Sequence, residues 1–192
     1  MWKQKALTLT TLASITILGL SGCGQSANGV NTATTSSSSR PAYSASSVNT
    51  NAKQITETLT ISPDGPKYTP ANFTLPPNTV VNFKIIDKDN GAATIPSGYI
   101  KVRGTIDGTM VVNGKKVSEL DAKNVAHTLT FPSLNLNVPV PPSATVAFSI
   151  KTPRKPGNYT WQCYAACGSG QSGWGGVMSQ MGAMQGTLTV KA

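Results

Sequence analysis

Apolar and polar residues alternate along much of the chain between residues 54 and 192, which is typical of β-strands that bury one face. The alternation is clearest in I-T-E-T-L-T-I, which begins at Ile55, and in A-T-V-A-F-S-I, which ends at Ile150. The pattern predicts strands over 55–61, 80–86, 99–106, 109–112, 127–131, 144–150, 158–163 and 185–190. A single short helix is predicted over 117–123.

Turn-forming residues separate the predicted strands. Asn113 and Gly114 form the dipeptide that favours a two-residue type I′ hairpin. Proline and glycine punctuate the other connections, at 63–65, 76–78, 139–142 and 156–157. About eight short strands with turns at this spacing predict an all-β fold, either a sandwich or a small barrel.

The first residues have the pattern of a secretory signal peptide. Lys3 and Lys5 precede an uncharged apolar segment that ends at Leu20. The Leu-Ser-Gly-Cys that closes this segment resembles the lipobox of bacterial lipoproteins. The resemblance implies that residues 1–22 are removed and that Cys23 is lipidated as the new N-terminus. The protein is then expected on the outer side of the cytoplasmic membrane, at the cell surface or in the periplasm.

Composition divides the remainder of the chain into two parts. Residues 23–53 are mostly Ser, Thr, Asn, Ala and Gly, so they are predicted to be a disordered linker. Residues 54–192 are predicted to form one domain, because they carry enough apolar sequence for a core.

The chain is basic, but its charge pattern is not that of a nucleic-acid-binding protein. Removal of Lys3 and Lys5 leaves fourteen basic residues against seven acidic ones, a net charge of about +7. The basic residues are scattered and are not interleaved with aromatic residues, which argues against a nucleic-acid partner. A solvated surface is one interpretation; attraction to anionic lipid or to an acidic redox partner is the other.

Sulfur-bearing residues are concentrated near the C-terminus. Two cysteines stand four residues apart just after a predicted strand, and a loop with three methionines follows. The only histidine of the chain opens the strand predicted over 127–131. Imidazole, thiolate and thioether together suit copper. The candidate ligands are His127, Cys163, Cys167, Met178 and Met184.

Two segments resemble the cupredoxin family, and within it the binuclear copper A domain of cytochrome c oxidase subunit II. The segment N-V-A-H-T-L-T-F-P-S-L-N-L-N-V, over 124–138, is similar to the stretch around the family's first copper-binding histidine. The segment G-N-Y-T-W-Q-C-Y-A-A-C-G, over 157–168, is similar to the stretch that supplies both bridging thiolates. The resemblance implies a Greek-key cupredoxin sandwich that holds one or two copper ions.

The ligand set departs from that of the family. Gln171 stands where the family has a second histidine, Trp174 where it has a methionine, and Ala165 where a glutamate binds copper through its carbonyl. Gln171 is retained as a weak oxygen ligand. The stretch G-A-M-Q-G-T-L-T-V also resembles blue-copper proteins, and that resemblance implies Met184 as the axial thioether.

Three functions remain open at this stage. The first is electron transfer through a thiolate-ligated copper site, with a cytochrome or an oxidase as partner. The second is a Cu(I) carrier, and the third is a metal-free binding module in which Cys163 and Cys167 form a disulfide. A hydrolase is not expected, because the chain has one histidine, few carboxylates and no Gly-x-Ser-x-Gly motif.

Overall fold

The computed structural model describes residues 54–192, so the predicted signal peptide, the predicted lipidation site Cys23 and the predicted linker lie outside the described residues. Two β-sheets make up the described part, with four single turns of 3-10 helix and no α-helix. None of its helices is long and apolar enough to cross a membrane. The strands are β1 Ile55–Ile61, β2 Tyr68–Thr69, β3 Asn72–Leu75, β4 Val80–Asp87, β5 Met110–Val112, β6 Lys115–Val117, β7 His127–Phe131, β8 Leu136–Val140, β9 Thr145–Lys151, β10 Gly157–Gln162 and β11 Gln185–Val190.

The two sheets form a sandwich. The first has the strand order β2-β1-β4-β9-β5-β6, and the second has the order β3-β11-β10-β7-β8. Both sheets are mixed, because β1 runs parallel to β4 and β3 runs parallel to β11, while the other neighbours are antiparallel. The all-β prediction is therefore confirmed, with short strands such as β2, β3 and β8 in addition to those predicted.

Aromatic side chains join the two sheets. Phe73 on β3 packs edge-to-face against Phe83 on β4, with ring centroids 5.7 Å apart, and also contacts Phe131 on β7. Strand β4 alternates as predicted, with Val81, Phe83 and Ile85 buried. The core therefore fills the space between the inner faces of the sheets, as period-two alternation requires.

The segment 99–106 is not a strand of either sheet. Tyr99 ends a 3-10 turn, and only Lys101 and Arg103 form isolated bridges, to Glu119 and Asn137. The prediction of a strand over 99–106 was wrong because the segment pairs with the edge strand β8 only at Arg103 and Asn137, and with Glu119 only at Lys101, so no continuous ladder forms.

The side chain of Asn137 holds the start of the segment 99–106 against β8. Its side-chain amide donates hydrogen bonds to the carbonyls of Tyr99 and Lys101, at 2.9 and 2.7 Å, and its oxygen accepts one from Thr130. The side chains of Asn137 and Thr130 are buried, so their polar groups need these partners. Every residue of β7 and β8 is buried, and β7 is the strand that begins at His127.

The predicted helix over 117–123 was also wrong. Val117 ends β6, and the helical part is one 3-10 turn at Ala122–Asn124. Backbone hydrogen bonds from Val102 to Ser118 and from Leu120 to Ile100 keep the chain extended between these elements.

The predicted hairpin is confirmed. Asn113 and Gly114 connect β5 to β6 as a two-residue loop, with φ of 47° and 86°. Positive φ at both positions is what a type I′ turn requires.

Candidate metal centre

Two neighbouring strands deliver the candidate ligands. His127 is the first residue of β7, and Cys163 directly follows β10, which pairs with β7 in the second sheet. The Cys163 N–H donates to the Met184 carbonyl at 2.8 Å, and the Tyr164 N–H donates to the Thr128 hydroxyl at 2.8 Å. These bonds fix the start of the cysteine loop beside the start of β7.

His127, Cys163 and Cys167 form one cluster. The ligand atoms of the three side chains lie within 4.8 Å of one another. His127 and Cys163 are fully buried, and Cys167 is partly exposed. The sulfurs of the cysteines are 3.7 Å apart and both cysteines are free thiols, so this structure does not contain the disulfide considered as an alternative.

The histidine ring has one nitrogen without a partner. His127 Nε2 lies 3.0 Å from Asp89 Oδ2, whereas Nδ1 is buried and has no hydrogen-bond partner. A buried polar atom without a partner is costly, because it has lost its bonds to water. A metal ion at Nδ1 would satisfy it, so the cluster fits a metal site.

The cluster lowers the pKa of one thiol and raises that of the other. Burial raises the pKa of Cys163, but the hydrogen-bonded Cys167 thiol, His127 and the Thr128 N–H outweigh burial, so the net pKa is well below the ordinary value. The Thr128 N–H lies 3.3 Å from the Cys163 sulfur. The hydrogen bond with Cys163 is the main cause that raises the pKa of Cys167. Cys163 is therefore the thiol that ionises first.

The histidine pKa responds to the same charges. Burial lowers the pKa of His127, but the neighbouring Cys163, Asp87 and Asp89 outweigh it and raise the pKa above the usual value. Burial raises the pKa of Asp87 to about 6. The cluster thus holds an imidazole among several groups that become anionic, a setting that favours a cation.

The predicted methionine and glutamine ligands occupy different environments. Met178 is buried and its sulfur lies 3.3 Å from Cys167 Sγ, which adds a thioether to the cluster. Met184 is fully buried next to the Cys163 backbone, and it stays a predicted ligand. Gln171 is exposed in the loop that follows Cys167, and its role as a weak oxygen ligand also stays a prediction.

The two tryptophans near the cysteines differ in burial. Trp161 is 1% exposed and donates a hydrogen bond from Nε1 to the Ala71 carbonyl, so it belongs to the core. Trp174 is 40% exposed in the glycine-rich loop.

Sequence reasoning missed the residues that surround the ligands. Asp87, Asp89 and Thr128 all contact the cluster. The burial of Asp87 could have been predicted from the sequence, because Asp87 continues the inward-facing positions of β4 after Val81, Phe83 and Ile85. An acidic residue at a core-facing position is rarely buried without a partner.

Solved structures give the comparison with known proteins. Auracyanin B is similar at 19% identity over 76% of this chain and 94% of its own, with a TM-score of 0.40. A haem-copper terminal oxidase is similar at 19% identity over 71% of this chain and 65% of its own, with a TM-score of 0.38. Rusticyanin from Thiobacillus ferrooxidans is similar at 12% identity over 73% and 79%, with a TM-score of 0.37.

Auracyanin and rusticyanin are cupredoxins, the family that the two sequence segments resemble. No protein-family model matches the chain, and no curated protein sequence matches it significantly. Because these identities are low, the metal that the centre binds has to be inferred from the side chains of the centre itself.

The donor set selects copper among the common metals. Thiolate and imidazole bind both copper and zinc, but a thioether is a ligand of copper and not of the usual zinc sites. The Met178 thioether beside Cys167 is therefore the feature that favours copper over zinc. The sulfur separation of 3.7 Å is less than twice a metal–sulfur bond of about 2.3 Å, so one ion can contact both thiolates.

Replacement of the thioether tests this part of the site. Met178→Leu keeps the side-chain volume but removes the sulfur, so we expect copper to remain bound and its midpoint potential to fall, because a thioether favours Cu(I). Met181→Leu is the matched control, since Met181 is 71% exposed. Redox titration of both copper-loaded variants measures the effect. Equal potentials for Met178→Leu and the wild type would exclude Met178 as a ligand.

Proposed function

We propose that this protein is a copper protein that transfers electrons through a thiolate-ligated site formed by His127, Cys163 and Cys167. One observation carries the proposal: a buried imidazole, whose Nδ1 has no partner, forms a cluster with two free thiols in which one ligand atom from each residue lies within 4.8 Å of the others. The ion supplies a one-electron couple between Cu(II) and Cu(I). The side chains hold it and tune it, and the burial of His127 and Cys163 shields it from water on their side.

A rigid scaffold suits electron transfer. His127 begins a strand whose five residues are all buried, and Cys163 is tied by backbone hydrogen bonds at the end of an adjacent strand. Since ligands held in this way move little when the copper changes oxidation state, little reorganisation accompanies each electron. The protein is then a carrier and not an enzyme in its own right.

A Cu(I) carrier is the second candidate, and the exposure of Cys167 favours it. Cys167 is partly exposed while His127 and Cys163 are fully buried, so the cluster meets solvent at Cys167. Two thiolates, one thioether and one imidazole hold Cu(I) well. A carrier would take up and release copper by this route.

A spectroscopic titration distinguishes the candidates. The full chain is reduced, its free thiols are counted, and Cu(II) or Cu(I) is added under anaerobic conditions. Electron transfer predicts intense thiolate-to-copper absorption that bleaches on reduction and returns on reoxidation. A carrier predicts tight, colourless Cu(I) binding that is lost on oxidation. Absence of binding by a chain with free thiols would contradict both and favour a metal-free binding module.

The cellular setting forms part of the proposal. The lipobox-like segment before Cys23 supports lipid attachment, and the polar composition of residues 24–53 supports a tether between the membrane and the domain. Such a protein would exchange electrons with a membrane-associated redox protein, such as a cytochrome or an oxidase, on the outer side of the membrane.

Substitution of Cys23 tests the anchor. Cys23→Ala removes the acceptor of the lipid, so we expect the protein to leave the membrane fraction or to accumulate with its signal peptide uncleaved. Cys163→Ser is the matched control, because it removes a cysteine outside the lipobox. Fractionation of cells followed by mass determination of the N-terminus measures both outcomes. A Cys23→Ala protein as membrane-bound and as fully processed as the wild type would refute lipidation.

A further inference from the structure

Two carboxylates face the histidine of the cluster. Asp89 Oδ2 lies 3.0 Å from His127 Nε2, and Asp87 Oδ2 lies 3.8 Å from the same nitrogen. The Asp87 side chain is fully buried and that of Asp89 is 16% exposed. The chain has only seven acidic residues, and two of them meet at its single histidine.

The Asp89 carboxylate is held firmly in place. Its Oδ1 accepts the Gly91 N–H at 3.2 Å, which leaves Oδ2 for the histidine. The Asp89 N–H donates to Asp87 Oδ1 at 2.8 Å, and the Asp89 carbonyl accepts the Ser143 N–H at 2.7 Å. These contacts set the position of Asp89 independently of the histidine ring.

We propose that Asp89 is a positioning residue of the copper site, which orients the His127 ring, keeps a proton on Nε2 and thereby presents Nδ1 to the ion. This inference rests on the proposed function. The carboxylate accepts the Nε2–H, and the buried Nδ1 then carries a free lone pair and no competing hydrogen bond. Partners of this kind commonly fix the tautomer of a metal-binding histidine and increase its basicity.

The charge of Asp89 also acts on the copper couple. A negative charge in a poorly solvated site stabilises the ion with the larger positive charge, so it favours Cu(II) over Cu(I). The donor set described above has one imidazole and two or more sulfurs, which by themselves favour Cu(I). Asp89 counteracts this bias and keeps both oxidation states accessible.

Asp89→Asn is the variant that tests the inference. Asparagine has the same size but is uncharged, and it offers one side-chain oxygen to two donors, the Gly91 N–H and the His127 Nε2–H. We expect Cu(II) affinity to fall about 10- to 100-fold, the range measured for loss of such partners. A Cu(II) loss tenfold greater than the Cu(I) loss raises the midpoint potential by about 59 mV for one electron.

Two further variants distinguish the effect of the Asp89 charge from other effects of the substitution. Asp64→Asn removes one carboxylate from an exposed turn and should leave the potential unchanged. Asp89→Glu keeps the charge and should shift the potential less than Asp89→Asn does. An Asp89→Glu potential shifted as far as that of Asp89→Asn would overturn the role assigned to the charge.

The single histidine permits a measurement without copper. Nitrogen-15 NMR of the full copper-free chain, at a pH where the imidazole is neutral, reports the His127 tautomer directly, because no other imidazole contributes a signal. We expect Nε2–H in the wild type and a changed tautomer population in Asp89→Asn. The same tautomer and potential in both proteins would overturn the inference while leaving copper binding intact. A wild-type chain that binds no copper would instead overturn the proposed function and this inference with it.

Discussion

Cys163→Ser is expected to abolish the thiolate-to-copper absorption and the redox activity of the protein while leaving the fold intact. Serine has nearly the shape of cysteine, and its hydroxyl can still accept the Thr128 N–H that now points at the sulfur. The low pKa of Cys163 makes it the first thiolate offered to copper. Copper affinity should fall by more than the roughly 100-fold that loss of an outer partner can cost.

Anaerobic copper titration with visible absorption and urea unfolding of the same samples measure both parts of this expectation. Cys167→Ser is the comparison variant, because Cys167 is partly exposed and its thiol keeps its proton longer than that of Cys163. We expect it to retain weak binding with an altered spectrum. A Cys163→Ser protein with the wild-type spectrum would remove Cys163 from the ligand set.

Gly168→Ala is expected to disrupt the centre from outside the ligand set. A Cβ at this position would lie 2.1 Å from the Gly175 carbonyl oxygen and 2.7 Å from Met178 Cγ. The carbonyl belongs to a loop closed by hydrogen bonds between Ser169 and Gly175, so the loop and Met178 have to shift, and we expect the contact between Met178 and Cys167 to be disturbed. We expect a loss of about 1–3 kcal/mol in the free energy of unfolding, which is typical of overpacking, together with weaker copper binding.

Gly98→Ala is the matched control for this substitution. A Cβ at Gly98 meets nothing within 4 Å, and Gly98 is not among the glycines with positive φ. Urea unfolding should therefore show no loss for Gly98→Ala, and copper titration should give wild-type affinity. Wild-type stability and affinity in Gly168→Ala would mean that the glycine-rich loop does not position Met178.

The sequence predicted the long strands well, because each keeps one buried and one more exposed face. Strands β1, β4, β9 and β11 show this alternation in their burial. The interpretation failed for the segment 99–106, which meets the edge strand β8 at a single bridge between Arg103 and Asn137. The Asn137 side chain binds the carbonyls of Tyr99 and Lys101, so these groups are not paired with a neighbouring strand.

The order of the strands in the two sheets could not be predicted from the sequence pattern. The parallel pairs β1–β4 and β3–β11 depend on contacts between distant segments, and β2 has only two residues, too few to show a period. Local patterns specify which residues face inward, but they do not specify which strands become neighbours.

The members of the cluster were easier to predict than their surroundings. Cys163 and Cys167 are close in sequence, and the single histidine left no competing imidazole. Asp89, by contrast, lies 38 residues from His127, in a connection after β4. No local pattern links an acidic residue in a loop to a histidine on another strand, so this contact emerged only from the fold.

X-ray absorption at the copper edge of the loaded full chain tests the central claim most directly. The claim is that His127, Cys163 and Cys167 together bind the ion. It predicts sulfur scatterers from the two thiolates at about 2.3 Å and a nitrogen scatterer with the multiple-scattering pattern of imidazole at about 2.0 Å, as for a comparable first-row metal. A copper ion surrounded only by oxygen or nitrogen scatterers, without sulfur, would contradict the claim.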